Sequence, residues 1–209
     1  MAREKTRLLL AGAGLLLGLS LWLPLWATRL EAPQYRGDEA LRVQIYSTAV
    51  AGDVKEIETL NQYIGVRLPL DAPELRAVPW VLGLLCAVAL TAALAPLGMQ
   101  RKLAGVLFGL MLATTLSAAA LAQYRLYALG HHRGHTPLAR VHDFTPPLLG
   151  SIQIENFHVH TSIGLGGWAF LAALALTAAV VLSRRPRRPT AASGVSAAEP
   201  PAQMHPAKG

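Results

Sequence analysis

Four long apolar runs punctuate the chain, and none contains a charge: Leu8 to Trp26, Val78 to Leu97, Leu103 to Ala122 and Ile163 to Leu182. Each is about 20 residues long. At about 1.5 Å per residue, a helix of that length crosses the ~30 Å hydrocarbon core of a bilayer. The runs are continuous rather than alternating, so they read as helices and not as strands of a barrel. The pattern predicts an all-α membrane protein with four transmembrane helices, spanning residues 8–26, 78–97, 103–122 and 163–182.

Between the runs the periodicity changes. In "LRVQIYS" (41–47), Leu41, Val43 and Ile45 alternate with Arg42, Gln44 and Tyr46, the pattern of a strand with one wet face. "GDVKEIETLNQYIG" follows. Asp53 with Glu56 three residues on resembles a capping box, and Val54, Ile57, Leu60 and Ile64 fall on one helical face. A short amphipathic helix over 53–64 is expected, ended by Gly65. "SIQIENFHVH" (151–160) alternates again and is a candidate partner for the 41–47 strand. The two long loops, 28–77 and 123–162, are thus expected to form a small cap holding a short helix and strands. Trp80, Tyr124 and Tyr127 stand where interfacial anchors belong.

Composition supports a bilayer environment. Hydrophobic residues make up 53% and charged residues 15%, with a mean hydropathy of +0.37, whereas soluble domains carry about 25% charged residues. The charges also sort by side. With the N-terminus inside, residues 1–7, the turn 98–102 and the tail after Ser183 hold ten Lys and Arg against two acids. Loop 28–77 holds six against eight acids, and loop 123–162 three against two. This is the positive-inside pattern, and it predicts cytoplasmic termini with both loops periplasmic in a bacterial inner membrane. The net charge of +7 reads as topology, not as nucleic-acid binding. "SRRPRRP" after the fourth run is suited to anionic headgroups. The first run has a basic start but exceeds the usual signal core, so an uncleaved anchor is expected. Residues 1–183 form the transmembrane domain with its cap. Residues 184–209, rich in Pro, Ala, Ser and Gly, are expected to form a disordered cytoplasmic tail.

Candidate chemistry concentrates in the second loop. Six of the seven histidines fall within residues 130–160. His131, His132 and His135 form H-H-x-x-H, Asp143 follows His142, and His158 and His160 stand two apart, so on a strand they share a face. The only cysteine, Cys86, lies within the second run, and neither outer loop contains methionine. Nitrogen and carboxylate donors remain, a set suited to Cu(II) or Zn rather than Cu(I). The metal-ligand set this pattern favours is His131, His135, His158 and His160, with "FTPPLLG" (144–150) as spacer and His132 and His142 as bystanders. Such a site would be weak and exchangeable, because flanking glycines leave it poorly preorganised. The plainer alternative, imidazoles decorating a polar loop, stays open. No H-E-x-x-H, Walker loop, nucleophile elbow or CxxC occurs, and no span carries a histidine or a charge. The sequence therefore predicts no enzyme.

"APQY" (32–35), "GDVKEIETLNQYIGV" (52–66), "FTPPLLG" (144–150) and "NF" (156–157) together resemble a group of small bacterial inner-membrane proteins. That group is associated with copper-enzyme maturation, in particular the assembly of nitrous oxide reductase. A histidine is common there where this chain has Gln62, so the resemblance lends the first loop no metal role. It implies a context and no mechanism. The expected function is an inner-membrane accessory protein for periplasmic copper handling or copper-enzyme assembly. Its partners would be the bilayer and a membrane or periplasmic protein. The alternative is a non-catalytic structural subunit of a respiratory or transport complex.

Overall fold

A computed structural model describes residues 2–31, 37–64, 73–131, 145, 147–154 and 157–183. The elements run α1 (Ala2–Ser20), β1 (Trp26–Glu31), β2 (Leu41–Ile45), β3 (Val50–Gly52), α2 (Val54–Ile64), α3 (Val78–Leu94), α4 (Leu97–His131), β4 (Gly150–Ile154), β5 (Phe157–Ile163) and α5 (Leu165–Leu182). The predicted tail, 184–209, lies outside the described residues.

Helices α1, α3, α4 and α5 form a closed ring: α1 packs on α3 and α5, and α4 completes the ring against the same two. The core is small-sided. Ala13 of α1, Ala89 and Ala92 of α3, Ala104 of α4 and Ala173 of α5 are fully buried beside Leu10, Leu17, Leu107 and Met111. Small residues let the helix backbones approach closely. The Cys86 thiol accordingly donates to the Gly14 carbonyl at 3.3 Å, a packing role. Buried Thr177 donates to Ala173 O at 2.8 Å, within its own helix. Gln100 Nε2 donates to Ala93 O at 3.1 Å and fastens the tight α3–α4 connection.

Three helices are long and apolar enough to cross a membrane: Pro73–Leu94, Gly98–Ala128 and Leu165–Leu182. The first predicted run is not one uninterrupted span. Its helix stops at Ser20, turns through Leu21–Leu25 and enters β1 at Trp26. Pro24 is the physical reason, since it supplies no amide hydrogen and disfavours helix at the residue before it. The charge-free part of α1, Leu8–Ser20, reaches only about 20 Å by helical rise. The second and third runs differ too. Residues 98–102 are not a turn but the start of α4, which continues unbroken through the expected loop start to His131.

The helical bundle carries the strands expected of the cap, but in a larger sheet than expected. β1 lies at the centre of a five-stranded antiparallel sheet of order β3-β2-β1-β5-β4. The expected 41–47 strand exists as β2, but it pairs with β1 and β3 and not with residues 151–160. That later segment is two strands, β4 and β5, paired with each other. One sheet face is apolar. There Leu41 and Val43 are buried under α2 with Ile57, flanked by Leu30, Val50 and Val54. Asp53 stands at the start of α2 as the sequence suggests, its carbonyl accepting from the Ile57 amide at 3.1 Å, but its side chain turns to the sheet. Its Oδ2 accepts from the Arg42 amide at 2.8 Å, so the carboxylate ties the helix start to β2.

The sheet joins the bundle through the start of α5. The amides of Gly164 and Gly166 donate to Leu25 O at 3.0 Å and Pro24 O at 2.9 Å. Around this junction, Trp22, Trp80 and Trp168 are exposed by 82%, 81% and 58%. Each stands at the sheet-side end of its helix, and Tyr124 and Tyr127 stand exposed near the same end of α4. An ion pair between Arg125 and Glu74 links α4 to the turn before α3 on this side.

Candidate functional site: the polar face of the sheet

Side chains alternate along strands, so the register assigns each residue to a face. In β1, Arg29 and Glu31 lie opposite the apolar face. The β1–β5 pairing sets Glu31 against His158 and Arg29 against His160. The β4–β5 pairing sets Gln153 against His158 and Ser151 against His160. Two transverse rows result: Arg29–His160–Ser151 and Glu31–His158–Gln153. Arg29, Glu31, Ser151, His158 and His160 line one shallow depression of about 260 Å³.

Polar contacts order this surface. Arg29 Nη2 donates to Gly37 O at 2.6 Å and pairs with Glu31 Oε1 at 3.0 Å. Arg29 Nε has no partner among the described residues. Ser151 Oγ and His160 Nδ1 share a hydrogen bond of 2.8 Å. Both histidines are exposed. With Nδ1 of His160 engaged, Nε2 is the nitrogen available to a ligand.

The structure brings His158 and His160 together on one face of β5 and places His131 elsewhere, in the last turn of α4. There the His131 Nδ1–H donates to Tyr127 O at 2.9 Å, and the ring stacks on Tyr127 with centroids 4.0 Å apart. His135 lies outside the described residues, as do His132 and His142. Among the described residues, no three His, Cys, Asp or Glu side chains are gathered as a ready metal cluster. The H-x-H pair is thus the part of the predicted ligand set that the fold presents as a unit. Glu31 and Ser151 were missed from sequence. The alternation in "TRLE" (28–31) is the local trace of Glu31, but it follows directly on the first apolar run, while Ser151 opens the alternating "SIQIENFHVH" (151–160).

No known family model matches the chain, and comparison with curated proteins finds no match either.

Proposed function

We propose that the chain is a multi-pass inner-membrane accessory protein whose extracytoplasmic sheet captures a divalent metal ion, in the service of copper handling or copper-enzyme assembly. The observation that carries this reading is the His158–His160 pair, presented on one exposed strand face with Ser151 holding Nδ1 of His160. A hydrogen bond on one imidazole nitrogen orients the other toward metal. Two nitrogens with nearby oxygen donors suit Cu(II) or Zn. The reading extends the resemblance to copper-enzyme maturation proteins described above.

The membrane placement has its own support. All four bundle helices run as spans in this reading, α1 included. Its Leu8, Leu15 and Leu19 are exposed toward the surroundings of the bundle, while Leu10, Ala13 and Leu17 are buried within it. The exposed tryptophans gather at the sheet end, and the basic residues Arg3, Lys5, Arg7, Arg101 and Lys102 gather at the other. Aromatic girdles mark bilayer interfaces, and Lys and Arg favour the cytoplasmic side. The sheet is then periplasmic and both termini cytoplasmic.

A second reading, the structural subunit, draws on α4. That helix leaves Val106, Leu110, Leu112 and Leu116 exposed, a surface for lipid or another membrane chain. The two readings separate by titrating full-length protein, freed of any tag histidines, with Cu(II) and Zn in a calorimeter at pH ~7.5, where reference imidazole is mostly neutral. Metal capture requires a saturable isotherm that disappears in His158→Ala/His160→Ala. Identical isotherms for the two proteins would leave the subunit reading in front.

A further inference from the structure

The two histidines provide two donors, and a divalent ion held by two imidazoles alone has coordination positions to fill. The nearest protein oxygen by register is Glu31, directly opposite His158 on the adjoining strand. Opposed residues on one face place their Cβ atoms about 4.5–5.5 Å apart, within reach of a common ion. Glu31 and both histidines line the same depression.

Glu31 does not point its charge at the histidines in this structure. Its Oε1 pairs with Arg29 Nη2 at 3.0 Å, and among the described residues no three-residue cluster is ready. The restraint is slight. Both side chains are 39% exposed, and ion pairs this exposed hold weakly. Arg29 engages through Nη2, which also serves Gly37 O, while Nε has no partner among the described residues. A rotation of the Glu31 side chain from Arg29 toward His158 would bring the carboxylate to the histidine pair without moving the backbone.

We infer that Glu31 is the third ligand of the metal-capture site and that Arg29 holds it back until metal arrives. The inference rests on the metal-capture reading and adds two roles to it. Glu31 supplies anionic oxygen and offsets the charge of the ion. Arg29 opposes binding twice, by occupying Glu31 and by placing a positive charge beside the ion, which makes capture weaker and release easier. An accessory protein that hands its metal on needs that property.

The test titrates Cu(II) into five full-length proteins: wild type, His158→Ala/His160→Ala, Glu31→Gln, Arg29→Gln and Arg29→Gln/Glu31→Gln. The double histidine variant should lose binding. Glu31→Gln should weaken it by about tenfold or more, since loss of even an outer-shell partner of a ligand costs about 10–100-fold at metal sites. Arg29→Gln should tighten binding several-fold, a gain that misfolding does not produce. In Arg29→Gln/Glu31→Gln most of that gain should vanish, because the freed carboxylate is absent. If the gain persists in the double variant, Arg29 acts by charge alone and the latch is refuted. If the histidine variant loses binding while Glu31→Gln and Arg29→Gln match wild type, the inference falls and metal capture by the histidines stands. If the histidine variant binds as wild type does, both fall.

Discussion

The amide of Gly166 donates to the carbonyl of Pro24 at 2.9 Å, which fastens the first turn of α5 to the turn that ends α1. The contact leaves no room for a side chain, since a Cβ at Gly166 would lie 2.6 Å from Leu23 O and 3.0 Å from Leu23 C. Gly166→Leu should therefore force the sheet and bundle apart locally, at a cost of about 1–3 kcal/mol, the range for overpacking. Gly83→Ala is the control, because nothing lies within 4 Å of a Cβ there. Thermal unfolding in detergent should show a lowered midpoint for Gly166→Leu and no loss for Gly83→Ala. Equal midpoints for Gly166→Leu and wild type would mean that the junction is not close-packed.

Ile57 is only 7% exposed and packs its α2 face onto Leu41 and Val43. Ile57→Asp would bury an unpaired carboxylate there, costing a few kcal/mol. The sheet should then open to protease at β2 and β3 while the bundle stays intact. Wild-type resistance in this variant would show that α2 does not cover the sheet.

How much of this was legible in sequence depended on whether each signal was local. α2 and β2 show in Val54, Ile57, Leu41 and Val43 because one face of each is wet, which imposes a clear period. β1 was hidden because Leu21, Leu23, Leu25 and Trp26 extend an apolar run without a charge, so only Pro24 marked the change from helix to strand. The place of Asp53 at the start of α2 shows in a local pattern, whereas the partner of its carboxylate, the Arg42 amide, is supplied by β2. The candidate site divides the same way. His158 and His160 announce themselves by spacing, but Glu31 and Ser151 join them only through strand register across distant segments.

The proposed orientation places Gly52 and Gly150 outside and the tail inside. Alkaline phosphatase fused at Gly52 or Gly150 should be active, and the same enzyme fused at Ser193 should be silent. Gly52 tests α1 in particular, because the proposed span over the short charge-free stretch Leu8–Ser20 lies just before the fusion point. Silence at Gly52 with activity at Ser193 would invert the topology.

The tryptophans test the depth of the bundle. Trp22, Trp80 and Trp168 sit at the sheet-side ends of α1, α3 and α5, and all three are exposed. Amphipathic indole rings settle at headgroup level. In vesicles, emission from these residues should be quenched strongly by lipids brominated near the headgroup and weakly by lipids brominated near the chain ends. Trp26, which opens β1, is the fourth tryptophan and is half-buried, so a Trp26→Phe background isolates the other three. Replacing Trp22 by Phe should then remove part of the shallow-quenched emission, because α1 brings that residue to the same interface as its neighbours. Deep quenching of Trp22 would place the end of α1 inside the hydrocarbon. No quenching from either depth would put it in water. Either outcome would overturn the placement of α1 as a fourth span and leave the three long apolar helices to carry the sheet.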